Sequence, residues 1–198
     1  MLDSVLQMIR KIHPLSDAAA EALLSKLEVH TAPKKAVLLQ AGQRADYLYI
    51  VIEGLVRMYY VKDGVEVSCR FAEENDISAA IISFYGRKPG YEVIETLEPT
   101  TYARIHFDSL TALYESHPEL NFIGRALTEQ YFVQSEERLY LLRQHTAEER
   151  YLYFLNNYSG LVNRIPLKYI ASYLGLTLET ISRIRNKISR PVSQVPTS

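Results

Sequence analysis

Gly175 is the residue that most constrains this chain. It interrupts two short helical periods in the stretch PLKYIASYLGLTLETISRIRNKI, Pro166 to Ile188. In the first, Pro166 falls in the opening turn, where a missing N–H costs nothing, and Ile170, Ala171 and Leu174 share one face. A residue with a Cβ resists the left-handed backbone that ends a helix in a sharp turn, and glycine does not. Thr177 then stands where a hydroxyl accepts from a backbone N–H two or three residues on, capping a second helix. On that helix Ile181, Ile184 and Ile188 gather on one side. Glu179, Ser182, Arg183 and Asn186 gather on the other.

An outward face of one acid, one arginine and small amides or hydroxyls suits the reading of base edges in a DNA major groove. Arginine forks onto guanine and glutamate accepts from cytosine. The same geometry also occurs as plain packing. Local charge favours DNA: after Gly160 the cations Arg164, Lys168, Arg183, Arg185, Lys187 and Arg190 stand against Glu179 alone. The whole chain carries a net charge of only −1, so any attraction for nucleic acid has to be local.

The remaining sequence supplies the frame. Its 198 residues, 47% hydrophobic and 23% charged, are globular in composition and sufficient for one large or two small cores. Cys69 is the only cysteine, which excludes a disulfide scaffold and a cluster held by four thiolates of one chain. No apolar run reaches membrane length, and MLDSVLQMIRKIHPL lacks the pattern of a signal peptide, so a cytoplasmic location without membrane contact is expected.

The first thirty residues read as helices. Val5, Leu6, Ile9 and Ile12 form a stripe, and Ser16 caps a second helix burying Ala19, Leu23, Leu24 and Leu27. After Pro33 short runs rich in Val, Ile, Leu and Tyr alternate with turns, and Asp63-Gly64 marks a hairpin. Residues 33–107 are therefore expected to form a small antiparallel barrel or jelly roll, with a loop containing Gly86, Pro89 and Gly90 before strand texture from Val93 to Ile105. Asp108 or Ser109 caps a short helix ending at His117-Pro118. A long helix follows from Glu119 to about Arg143, with Leu120, Ile123, Leu127, Tyr131 and Leu141 on one side and Phe122, Ala126 and Val133 on the next. Apolar residues on two faces suit packing on the barrel and on a second copy of the chain. Thr146 and Glu149 form a capping box ahead of a helix burying Leu152 and Leu155. The tail from Arg190 reads as disordered.

Taken together, short N-terminal helices, a roll containing YLYIVIEGLVRMYYVKDGVE, a long helix and LGLTLETISRIRNK resemble the Crp/Fnr family of bacterial transcription regulators. The resemblance covers nearly the whole chain and implies an α+β protein. Its parts would be a cyclic-nucleotide-binding-like β-roll with flanking helices (1–117), a central dimerisation helix (118–143) and a helix–turn–helix domain (144–190). A tail (191–198) would follow. It further implies a homodimer on double-stranded DNA, an effector pocket and contact with RNA polymerase.

Carried over by position, Glu179 and Arg183 match the family's base contacts and Thr180 a phosphate contact. Thr177, Leu178, Ser182, Asn186 and Lys187 complete the expected DNA-facing set. Leu178 stands where the family often has arginine, which implies an altered half-site, since leucine touches a thymine methyl but cannot bond guanine. Too few residues follow Ile188 for the family's β-hairpin wing. The effector pocket is expected among Ala79, Ala80, Tyr85, Arg87, Gly90, Tyr91 and Thr128. Ala79-Ala80 fall where cyclic AMP-binding members have Gly-Glu, and Gly90-Tyr91 where they have Arg-Ser, so tight cyclic AMP binding is not expected. Arg87 and Lys88 read as exposed loop cations. The five histidines form no metal-ligand spacing, and neither a metal nor a cofactor is expected. A ligand-binding roll acting through protein partners is the alternative function. A cupin-like enzyme ranks below it, because Val37 to Cys69 contains no histidine.

Overall fold

In strand β3 (Tyr47–Glu53) successive side chains leave on opposite faces, and both faces are covered. Tyr49 and Val51 point into the roll, whereas Leu48, Ile50 and Ile52 pack against helices. The computed structural model describes residues 2–188, and the chain divides into two compact units, 1–135 and 136–198.

The first unit opens with helices α1 (Leu2–Ile12) and α2 (Asp17–Leu24). Ser16 caps α2 by accepting from the Ala19 N–H. The chain turns to strand earlier than expected, at β1 (Glu28–Ala32), so Leu27 lies outside α2. Pairing with the last strand of the roll decides this: Glu28 to Ala32 find antiparallel partners in Thr100 to Arg104.

The strands β2 (Val37–Leu39), β3, β4 (Val56–Lys62), β5 (Val65–Ala72), β6 (Ile77–Ser78), β7 (Glu92–Thr96) and β8 (Thr100–His106) complete two four-stranded antiparallel sheets. Their orders are β1-β8-β3-β6 and β2-β7-β4-β5. The strand texture from Val93 to Ile105 is thus two strands, one in each sheet. Tyr49, Val51 and Tyr102 of one sheet meet Val56, Met58 and Ile94 of the other in the roll interior. The loop expected before them holds a short helix, α3 (Ile81–Gly86), whose Phe84 fills the same core.

Two turns explain the hairpins. Asp63 and Gly64 both have positive φ (52° and 77°) between the paired residues Lys62 and Val65, the geometry of a two-residue hairpin loop. Gly54 has φ of 106°, and a Cβ there would stand 2.6 Å from Thr100 Oγ1. Backbone conformation and space both require glycine at that position.

Against the outer face of the first sheet, Val5, Ile9, Ala19, Ala20 and Leu23 pack with Ile50, Ala103 and Ile105. Helix α4 (Phe107–Ser116) adds Leu113, and helix α5 (Pro118–Gln144) adds Leu120 and Ile123. The cap of α4 is His106, which accepts from the Asp108 N–H, rather than Asp108 or Ser109. Phe107 already occupies the first helical position, so the cap lies two residues before Asp108.

In the second unit, Thr146 and Glu149 form the expected capping box of α6 (Ala147–Asn157). The buried residues of α6 are Tyr151 and Phe154, whereas Leu152 is exposed and Leu155 half-buried. The aromatic rings decide the helix's rotation: Phe154 stacks on Tyr158 and meets Tyr173 edge-on. Helices α7 (Leu167–Leu174) and α8 (Leu178–Ile188) follow. Residues from Ser189 onward, including Arg190, the expected tail and any wing, lie outside the described residues.

Candidate nucleic-acid interface and ligand pocket

The turn between α7 and α8 is built as its sequence requires. Pro166 stands just before α7, at its N-cap, one position earlier than the first-turn placement. Gly175 has φ 64° and ψ 36°. Its N–H donates to Ser172 O at 3.2 Å, and the Leu176 N–H donates to Ala171 O at 2.9 Å. These two bonds close the helix in the paired manner that favours a glycine.

Two arginines reinforce this end. Arg150 of α6 donates Nη1 to Leu174 O at 3.1 Å and Nε to His145 O at 3.0 Å. Arg138 lies over the Tyr173 ring and donates to Tyr173 O at 3.4 Å. Cations at a helix C-terminus satisfy orphan carbonyls and oppose the negative end of the dipole. Neither arginine carries a local sequence signal, because both act across the fold.

Thr177 caps α8: its Oγ1 accepts from the Thr180 N–H at 3.1 Å and lies 2.9 Å from the Thr180 hydroxyl. Ile181 and Ile184 are buried, while Ile188, expected on the same side, is exposed at the helix end. Glu179, Ser182, Arg183 and Asn186 are all exposed. Their side chains make no hydrogen bond or ion pair with another described residue. Leu178 is 48% exposed beside them. Lys187 instead pairs with Glu148 of α6 at 2.6 Å, both partners reaching solvent. An exposed pair of this kind is weak and exchanges readily for another anion.

The expected effector residues do not form one cluster. Ala79, Tyr85 and Thr128 line a cavity of about 310 Å³ in the first unit, together with Met8, Ile12, Leu48, Arg70, Asp76, Ile77, Ile81, Tyr114, Gly124, Leu127 and Tyr131. Ala80 is fully buried in the roll core. Gly90 packs against Ser83, where an added Cβ would stand 2.9 Å from the Ser83 Cβ. Tyr91 is exposed against Tyr60.

Arg87 is no loop cation. It bonds Asp46 at 2.6 Å, donates to Ala45 O at 3.0 Å and lies 4.0 Å from the centre of the Phe107 ring. Its left-handed backbone (φ 50°) folds the side chain back onto the roll, whereas Lys88 stays exposed. Burial pushes the Asp46 carboxyl upward, but the hydrogen bonds from Arg44 and Arg87 outweigh it and hold the group below its usual range.

Sequence reasoning missed Arg70, Asp76 and Tyr114. Each sits in ordinary strand, turn or helix texture, and only the packing brings them to one cavity. Among the described residues no group of three His, Cys, Asp or Glu side chains is placed to hold a metal ion. None of the described helices is long and apolar enough to cross a membrane.

Residues 29–117 match the cyclic nucleotide-binding domain family. The chain is 27% identical over 169 residues to the anaerobic regulatory protein of Pasteurella multocida, covering 79% of this chain and 61% of that protein. It is 26% identical over 169 residues to the fumarate and nitrate reduction regulatory protein of Salmonella typhi, covering 79% of this chain and 67% of that one. The chain thus spans about three fifths of the Pasteurella relative's length. FixK2 from Bradyrhizobium japonicum shares the fold, with a TM-score of 0.71 at 23% identity over 82% of this chain and 84% of that one. Two antiparallel sheets closed as a roll, the long α5 and the glycine-turned helix pair agree with these likenesses: residues 29–117 match the cyclic nucleotide-binding domain family, and the chain is similar over most of its length to bacterial regulatory proteins, as its resemblance to the Crp/Fnr regulators implies.

Proposed function

We propose that the chain is a sequence-specific DNA-binding transcriptional regulator, working in the cytoplasm as a homodimer on a two-fold symmetric site. The observation that carries this reading is the outward face of α8. Glu179, Ser182, Arg183 and Asn186 are exposed together on a helix whose entry is fixed by Gly175 and Thr177. A surface arginine and glutamate held by no neighbour are ready to exchange water for base edges. Thr177, Thr180 and Lys187 flank that face, where backbone phosphates run in a major-groove complex. Leu178 adds an apolar contact suited to a thymine methyl.

Selection of bound duplexes from a random library, with purified protein, tests the reading. A two-fold symmetric motif is the expected result. Arg183→Ala should then lose preference at one base pair in each half-site, at about 1–3 kcal/mol per contact. An equal loss on every sequence would make Arg183 a phosphate contact. Failure of the intact chain to retard any duplex would favour a roll that acts through protein partners.

The roll's role in this reading is to sense a small molecule other than cyclic AMP. No Gly-Glu pair stands at Ala79-Ala80, no Arg-Ser pair at Gly90-Tyr91, and Arg87 is occupied by Asp46. Tyr49, Tyr102 and Phe84 fill the roll interior. Burying a phosphate without a paired cation is costly, so calorimetry with cyclic AMP is expected to register no tight binding.

A further inference from the structure

The cavity in the first unit has a consistent chemical character. Its walls are mostly apolar, the amides of Asn75, Gln130 and Gln134 both donate and accept there, and Arg70 is its one cation among the described residues. Arg70 on β5 is half-buried at this cavity. Its guanidinium lies 4.9 Å from the centre of the Tyr131 ring and makes no hydrogen bond or ion pair with another described residue. Tyr114 lies against Gly124, where its hydroxyl leaves no room for a Cβ. That hydroxyl likewise has no hydrogen-bond partner among the described residues. Burial and the nearby Tyr85 push the Tyr114 phenol far above its usual value, so it keeps its proton and remains a donor.

The one acid at the cavity is Asp76. Burial raises its carboxyl above the usual range, although a hydrogen bond from the Glu73 N–H and the nearby positive charge of Arg70 oppose this. It feels the Arg70 charge but forms no ion pair or hydrogen bond with it. Thr128 spends its proton on Gly124 O at 2.8 Å.

We propose that this cavity binds an apolar small molecule bearing one carboxylate, whose charge is met by Arg70 and the Tyr114 hydroxyl while its hydrocarbon or aryl body lies along Leu127, Ile81 and Tyr131. A volume of about 310 Å³ holds roughly 10–15 non-hydrogen atoms at the packing density of a protein interior. The proposal rests on the sensing role given to the roll above. It also supplies a coupling route, because a carboxylate that draws Arg70 away from Tyr131 removes a contact between β5 and α5.

Calorimetry on the full chain tests this with matched probes: 4-phenylbutyrate, its amide and its amine, and a series of straight-chain and aryl-alkyl carboxylates of similar size. The carboxylates are expected to bind, at least about tenfold more tightly than the matching amides, and the amines least. Arg70→Gln should bring carboxylate and amide to equal affinity, while Arg70→Lys keeps part of the difference. Thr128→Trp should abolish binding of all three probes, with thermal unfolding confirming that the three variants fold.

Equal binding of acid and amide by the natural chain, tightest binding of the amine, or an undiminished preference in Arg70→Gln would each overturn the proposal. So would absence of binding by every carboxylate. DNA retardation is measured on the same preparation. A protein that retards a specific duplex yet binds no carboxylate refutes the ligand class and leaves the regulator reading standing. One that binds the carboxylates selectively but retards no duplex does the reverse.

Discussion

Glu92 shows how a single residue can oppose the fold that holds it. It begins β7, half-buried, and burial alone pushes its carboxyl above the usual range, with no cation to offset the cost. An acid whose folded value is raised holds its proton longer than the unfolded chain does. Stability is then fullest below the usual glutamate value and declines as pH rises from there through the folded value. Glu92→Gln should therefore raise the melting temperature at about pH 8 and bring much less gain at about pH 4.5. Thermal unfolding at the two pH values checks it; a gain of equal size at both would mean that charge burial is not the cause. Glu149 has the opposite sign, because hydrogen bonds from the Thr146 backbone and hydroxyl hold its carboxyl low. The Glu149–Thr146 pairing was visible in the sequence as a four-residue pattern, whereas the burial of Glu92 depends on how two sheets close.

At the level of elements, what was legible followed from local chemistry. Ser16, Thr146, Gly175 and Thr177 each act on backbone groups within a few residues, so their roles can be read from spacing. The Asp63-Gly64 hairpin has the same cause. What was not legible depended on partners distant in the chain. β1 is a strand because Thr100 to Arg104 pair with it, although the residues before it carry helical texture. α3 is too short for a hydrophobic period to announce it, and Phe84 holds it in place from the roll core. α6 turns its aromatic side inward because Tyr158 and Tyr173 wait there, which leaves Leu152 in solvent. The candidate sites divide in the same way. The reading face of α8 was legible from one helical period. The cavity of Arg70, Asp76 and Tyr114 draws on three elements, and of the expected effector residues only Ala79, Tyr85 and Thr128 reach it.

For the molecule as a whole, the proposed homodimer has a specific requirement along α5. Phe132 is 63% exposed, Val133 54% and Tyr140 62%, and Leu139 is exposed as well. Phe132 with Leu139, and Val133 with Tyr140, are each seven residues apart, the repeat of a two-helix seam. Large apolar side chains recurring at this spacing are costly to leave in water, and a second copy of the same helix covers them by symmetry. Placing a charge in that seam should separate the copies without touching the core of either unit. Phe132→Glu combined with Tyr140→Glu is expected to sediment as a monomer with unchanged helix content. Because two linked reading heads bind a symmetric site far more tightly than one, affinity for the selected duplex should fall by about 10²–10⁴-fold. Affinity for a single half-site should hardly change. A double variant that stays dimeric would mean that another surface joins the copies, and the exposed stripe on α5 would then need a different partner.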